Sequence, residues 1–297
     1  MPGWQRWRPK KRRKAGAMAD LLSRVHKVSQ DALASGALEP IPTCQEVVEE
    51  QGVEFLLRVL DNLSRKDEAR DKLKRAGAHR TDPFLPYDPA LYVEEVAPRH
   101  RCLLNKFNVV QHHVLIVTRE FEPQTDLLDA GDFQALVHCM AQMPGLGFFN
   151  GGEMAGASQP HKHLQLIPLP MAPFDVLPFS ASIAEVPVGG PQCCPALLFR
   201  HGLIRFPSSP SKETKENAQV MLRAYLTLRT YLDLGEADPY NLLVTDEWMM
   251  LVPRSQEKWQ GISFNALAFC GAMLVRDGEQ ASLLKKEGLM QALAAVT

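Results

Sequence analysis

Gly156-Ala157-Ser158-Gln159-Pro160-His161-Lys162-His163-Leu164-Gln165-Leu166-Ile167-Pro168-Leu169 sets two imidazoles and a carboxamide at every second position behind a run of small residues. Its small residues and proline read as a loop, and the run over about 161–168 reads as a strand. Alternate side chains of a strand share a face. His161, His163 and Gln165 therefore line one surface, while Leu164 and Leu166 point into apolar packing and Lys162 turns away from the imidazoles. Small residues ahead of the strand let backbone N–H groups approach an anion. A phosphate beside a row of imidazoles is the arrangement that nucleotidyl transfer through histidine requires. Alone, His-x-His-x-Gln fits catalysis, metal binding or the wet face of a strand equally well. The Gly-Ala-Ser-Gln-Pro before it and Asn150-Gly151-Gly152 upstream favour a catalytic loop.

On either side of this strand, the apolar spacing predicts helices over 19–36, 127–142 and 212–234, and helical character over 263–275 and 279–294. Residues 80–90 are proline-rich and read as extended or turned. Strands are expected near 102–110 and 112–119, as a hairpin, at 147–150, over 196–206, and as a second hairpin at 241–245 and 248–253. A segment rich in Pro and Gly, about 170–195, divides the chain. Antiparallel strands with flanking helices make the class α+β.

The 297 residues carry a formal net charge of −1, which predicts no general affinity for nucleic acid. Seven basic residues and no acid fall in 1–17 (Arg6, Arg8, Lys10, Lys11, Arg12, Arg13, Lys14), ahead of Met18-Ala19-Asp20. That head reads as a misassigned start or a basic disordered arm in preference to a nucleic-acid-binding tail. It lacks the apolar core of a secretory signal, and no run of 18 apolar residues spans a membrane. Six cysteines without a Cys-x-x-Cys pair read as reduced thiols of a cytoplasmic protein.

The decisive stretch, together with Asn150-Gly151-Gly152 and Pro168, resembles the signature of the diadenosine tetraphosphate phosphorylase (ATP adenylyltransferase) family of the histidine-triad superfamily. Further segments resemble it in order. They are Asp82-Pro83-Phe84-Leu85-Pro86-Tyr87, Leu104 to Val110, His113 to Glu122, Tyr240 to Thr245, Trp248-Met249, Val252-Pro253-Arg254-Ser255 and Gly261 to Leu267. The resemblance spans about 45–295. It implies two fused histidine-triad-like halves over one antiparallel sheet, in the branch of galactose-1-phosphate uridylyltransferase. On that division 1–17 is an arm, 18–170 a half with the His-x-His-x-Gln strand, and 171–297 a half that completes the nucleotide site.

The activity so implied is phosphorolysis of diadenosine 5',5'''-P1,P4-tetraphosphate by orthophosphate to ATP and ADP, through an AMP-histidine. His163 matches the nucleophile, and His161 would orient the strand and supply a backbone carbonyl beside it. Gln165 stands where the hydrolytic branch has a third histidine. A carboxamide cannot serve as an acid, which favours a phosphate acceptor over water. Gly156, Ala157, Ser158, Gln159 and Asn150 are candidate phosphate or ribose contacts, with Ser158 also in the catalytic loop. Lys66 is the candidate polyphosphate cation. Asn105 and Lys106 would line the nucleotide site, with Asn241, Met249 and Arg254 from the second half. In the uridylyltransferase relatives the histidine matching His161 ligates a metal with upstream cysteines, but no Cys-x-x-Cys pair exists here to complete such a site, and His112-His113 reads as a hairpin turn. No tightly bound cofactor or metal is expected, though Mg2+ would accompany the nucleotide. The partners are nucleotides and phosphate, with no nucleic acid or membrane. The alternative is a hexose-1-phosphate uridylyltransferase-like enzyme using the same loop. A non-catalytic nucleotide sensor is argued against by the intact His163 and Ser158.

Overall fold

Four runs become strands buried along their whole length: Val114–Thr118, Gly145–Gly151, Tyr240–Val244 and Trp248–Pro253. A strand covered on both faces has no wet face with which to alternate, so it reads as a plain apolar run. The computed structural model describes residues 20–60, 82–207 and 214–297; the predicted contact Lys66 and the basic arm 1–17 lie outside them.

In chain order the elements are α1 (Leu21–Ser35), β1 (Thr43–Glu50), β2 (Val53–Leu60), β3 (Tyr92–Val96), β4 (His100–Leu104), β5 (Val114–Thr118), α2 (Ala130–Gln142), β6 (Gly145–Gly151), β7 (His163–Pro168), α3 (Ser180–Ala184), β8 (Gly202–Arg205), α4 (Thr214–Tyr231), β9 (Tyr240–Val244), β10 (Trp248–Pro253), β11 (Lys258–Trp259), β12 (Ile262–Ser263), β13 (Ala272–Val275), α5 (Gly278–Glu287) and α6 (Leu289–Ala294). The main sheet has eight antiparallel strands in the order β3-β4-β5-β7-β6-β9-β10-β8. Strands from both sides of the 170–195 segment meet where β6 pairs β9, with Asn150 opposite Asn241. A small sheet, β1-β2-β13, draws strands from opposite ends of the sequence, with β13 parallel to β2.

Period-two alternation divides the core between the two faces of the main sheet. Leu164, Leu166, Leu242, Val244, Met249 and Leu251 pack with residues of α1, α2 and α4. Phe148, Ile167, Leu243, Met250 and Val252 pack on the other face with β2, β13, α5 and α6. The helix α2 starts on a capping box, Asp129 with Asp132.

Three predicted elements are corrected, and the first is the strand expected over 196–206, of which only Gly202–Arg205 pairs as β8. Residues 263–275 are not a helix: a 3-10 turn, Ala266–Cys270, ends at Gly271 with φ +91°, and β13 follows. An apolar run of that length cannot be assigned by periodicity alone. The hairpin strands are also shorter than predicted, with Asn105–His113 forming the connection between β4 and β5.

Candidate active site

The two sheets wall a cavity of about 540 Å³, a volume typical of small-molecule sites. β7 contributes His163 and Gln165, and β5 with its entry contributes His113 and Leu115. Arg58 of β2 and Ala272, Met273 and Leu274 of β13 come from the small sheet, and Asn265 and Leu267 from the turn before it. Asn105, Lys106, Asn150, Gly156, Ser158 and Gln159 also line the space, as expected from the sequence, and Phe84 and Tyr87 join them.

The two histidines are held quite differently. His163 donates from Nδ1 to the backbone carbonyl of His161 at 2.8 Å. A carbonyl only accepts, so Nδ1 carries the proton and Nε2 carries the lone pair. Burial lowers the pKa of His163 to about 4, so the ring is neutral at pH 7. Both ring nitrogens of His161 are engaged: Nδ1 with Asp82 Oδ2 at 2.6 Å, and Nε2 with the Thr118 carbonyl at 2.8 Å and Oγ1 at 2.9 Å. No lone pair of His161 is left to attack a phosphorus. Phe84 lies 5.5 Å from each imidazole, centroid to centroid.

Gln124 fixes the backbone of His163. Its Oε1 accepts from the His163 N–H at 2.8 Å, while its Nε2 donates to the carbonyls of Asn150 (2.8 Å) and His163 (3.3 Å). Behind the strand, Lys162 Nζ reaches Asp132 at 2.7 Å and the Leu127 carbonyl at 2.9 Å, tying β7 to α2.

A chain of hydrogen bonds orients Gln165. The Phe107 N–H donates to Asn105 Oδ1 at 3.3 Å, which turns Asn105 Nδ2 toward His113 Nδ1 at 3.1 Å. With Nδ1 accepting, His113 Nε2 bears the proton and donates to Gln165 Oε1 at 3.0 Å. Burial lowers the His113 pKa to about 4, which keeps that tautomer neutral. The Gln165 amide nitrogen is then the end available to an acceptor in the cavity.

The loop after β6 departs from its predicted use. The Gly156 N–H donates to Glu153 and the Ala157 N–H to Gly152, so neither backbone donor is free for an anion, and Ala157 does not line the cavity. Gly156 is required there: it sits at φ +84°, and a Cβ would lie 2.8 Å from the Phe264 carbonyl oxygen. Asn150 Oδ1 accepts from Asn241 Nδ2 at 2.8 Å and from the Ala266 N–H at 2.9 Å.

Three second-half residues expected at the nucleotide are placed elsewhere. Asn241 gives both amide hydrogens to Asn150 and the Ala155 carbonyl and accepts from Arg254. Arg254 spends its donors on Asn241 and on the carbonyls of Phe264, Gln256, Glu257 and Val296. These two brace the loops and do not line the cavity. Met249 is odd-numbered on β10 and packs on the helix-covered face, opposite the cavity. A buried arginine and an apolar strand residue look alike as ligand contacts or as scaffold until the face is known.

Gln124, Asp82, Thr118, Asn265 and Arg58 were not singled out, and His113 was read only as part of a hairpin turn. Asp82, His113, Thr118 and Asn265 fall inside segments quoted for the resemblance, and that was the only signal for a role in the site. Among the described residues no group of three or more His, Cys, Asp or Glu side chains is arranged to hold a metal, and no helix is long and apolar enough to cross a membrane.

Residues 11–185 match the family described as Ap4A phosphorylase N-terminal domain, and residues 195–297 match ATP adenylyltransferase C-terminal domain. Diadenosine 5',5'''-P1,P4-tetraphosphate phosphorylase 2 of Saccharomyces cerevisiae is 29% identical over 246 residues, covering 73% of this chain and 75% of its own. Protein APA1 of the same yeast is 28% identical over 203 residues, covering 61% and 62%. The crystal structure of yeast Ap4A phosphorylase Apa2 in complex with AMP superposes with a TM-score of 0.77 at 25% identity, over 93% of this chain and 96% of that one. The Apa2 complex with Ap4A shares the fold, with a TM-score of 0.78 at 22% identity over the same shares. The first family match alone covers more than half of the chain and the second most of the remainder, so this chain belongs to the Ap4A phosphorylase family of ATP adenylyltransferases and is a nucleotidyltransferase.

Proposed function

We propose that the chain phosphorolyses diadenosine tetraphosphate with orthophosphate, through AMP carried on Nε2 of His163. The observation that carries this reading is the bond from His163 Nδ1 to the His161 carbonyl, which leaves the lone pair on Nε2 of a cavity-lining imidazole. That lone pair attacks an α-phosphorus. The phosphorus–oxygen bond to the other three phosphates breaks, and ATP leaves as a stable anion. An oxygen of orthophosphate then attacks the same phosphorus. The phosphorus–nitrogen bond breaks, ADP departs and neutral His163 returns.

Imidazole gains positive charge as the first bond forms, and the His161 carbonyl at Nδ1 stabilises it. Gln165 Nε2 donates to a non-bridging oxygen of the transferred phosphoryl group. No acidic imidazole stands at its position, so departure relies on a leaving group that needs no proton. The relative's crystal structures with Ap4A and with AMP support adenine nucleotides as ligands. Mg2+ would arrive with the polyphosphate, and orthophosphate is the acceptor. The test is mass spectrometry after incubation with diadenosine tetraphosphate in the absence of phosphate. One added AMP on the wild type, discharged as ADP by phosphate and missing in His163→Ala, is the expected result. A wild type that turns over without ever carrying AMP would sink the covalent route.

A further inference from the structure

Arg58 stands at the middle of β2, between Gln45 on β1 and Leu274 on β13. It is 8% exposed and lines the cavity from the small sheet, whereas His163 lines it from the main sheet. Its Nε is a buried donor without a partner. Burial lowers its pKa from the usual arginine value, and no neighbouring carboxylate counters that shift. Around it lie apolar side chains of the same wall, among them Phe107, Val109 and Leu274.

Other buried guanidinium groups of this molecule are treated differently. Arg254, 4% exposed, bonds five oxygen acceptors. Arg229, 6% exposed, bonds the carbonyls of Leu234 and Gly235. A buried cation without a counter-charge is strongly unfavourable. A fold that satisfies Arg254 and Arg229 and leaves Arg58 open holds a charge that a ligand must complete. A guanidinium presents a planar fork that matches phosphate oxygens, and apolar walls strengthen the attraction.

We propose that Arg58 is an anion subsite for the polyphosphate, taking a phosphate beyond the one that meets His163. The two residues belong to different sheets, so a chain of phosphates lying between the walls presents its α-phosphorus to one and a later phosphate to the other. This rests on the proposed function for its substrate, but its test reads binding and needs no turnover.

The experiment measures the affinities of AMP, ADP, ATP and inorganic tripolyphosphate for the wild type, Arg58→Lys and Arg58→Met by calorimetry, with melting temperatures of the nucleotide-free proteins. A charge-assisted hydrogen-bond pair of this kind is worth about 10- to 100-fold in affinity. Arg58→Met should lose that factor for ATP and tripolyphosphate and stay within about twofold of the wild type for AMP, where no later phosphate exists. Arg58→Lys, which keeps the charge without the fork, should fall between. Nucleotide-free Arg58→Met should melt at or above the wild type, because an unpaired buried charge is gone. The proposal is overturned if ATP affinity is unchanged, if AMP and ATP lose the same factor, or if nucleotide-free Arg58→Met melts several degrees lower. The Lys variant carries the affinity test should the Met variant not fold. A wild type that never carries AMP, yet discriminates ATP from AMP through Arg58, leaves the subsite standing and removes the phosphorylase reading. The reverse pattern removes the subsite alone.

Discussion

His163 and His161 are two residues apart and chemically identical, and only their hydrogen bonds separate them. His163→Ala should lower turnover by several orders of magnitude with little change in melting temperature, since the deleted ring makes one bond, to a backbone carbonyl. His161→Ala should lower turnover less and also destabilise the fold, because Asp82 and Thr118 lose a buried partner. Paired kinetics and thermal melts of the two variants decide it; an active His163→Ala beside a folded, dead His161→Ala reverses the assignment. Gln165 carries a second expectation. Gln165→His places a ring where His113 now donates to a carboxamide oxygen. Phosphorolysis should fall, and the share of AMP among products should rise as water competes better with phosphate. The ratio of AMP to ATP plus ADP at fixed phosphate measures it, and an unchanged ratio and rate leave Gln165 as a strand residue. His163 and Gln165 were legible because period two puts them on one face of a recognisable strand. His113, Gln124 and Arg58 were not. Each comes from a distant segment: Arg58 is a single polar residue inside an apolar run, and Gln124 and His113 sit in polar connections, so none has a spacing to betray its face.

At the scale of elements, the catalytic strand is set by what lies behind it. Asp132 is fully buried in the first turn of α2, where it closes the capping box and meets Lys162 at 2.7 Å and His100 at 2.9 Å. Burial alone would raise its pKa, but His100 and Lys162 hold the carboxylate well below its usual range. Asp132→Ala would take the nearer carboxylate from the Lys162 ammonium and leave it only the more distant Glu122 at 3.6 Å, a loss of up to about 3–5 kcal/mol, the figure for a fully broken buried pair. Asp132→Ala combined with Lys162→Met should recover part of that loss, since the poorly compensated charge goes with it. Denaturant unfolding of the single and double variants reads the coupling, and strictly additive losses would show that the pair does not act as a unit. Several elements were legible in advance: α1, α2, α4 and the hairpin of β9 and β10 follow the apolar spacing. β1 and β13 were not. Thr43–Glu50 is mostly exposed and rich in Glu, with no buried face to announce a strand. Ala272–Val275 is a strand because β2 offers it a parallel edge, a fact of tertiary pairing with no local cause.

Across the whole molecule, the site is inseparable from the fold. β13 closes the small sheet from the far end of the chain, β6 and β9 join the two halves, and the cavity takes residues from both. Functional histidines buried in such a cleft tie stability to pH. Burial brings His113 and His163 to about 4, against about 6.5 for an imidazole in the unfolded chain. Between those values the unfolded state binds more protons than the folded state, so stability rises with pH. The contribution of these two groups is therefore complete above about pH 6.5 and is lost as pH falls from 6.5 towards 4. The nucleotide-free protein should melt at a lower temperature at pH 5 than at pH 7.5. Carboxylates also titrate toward the acid end, so the informative quantity is a difference between proteins. His163→Asn removes one of the two groups and should flatten the rise between pH 5 and 6.5 by up to one proton's worth, about 1.4 kcal/mol per pH unit. Denaturant unfolding across that range gives both curves. If they run parallel, His163 titrates alike in the folded and unfolded chains, and the neutral, desolvated nucleophile on which the proposed chemistry depends is not what the fold provides.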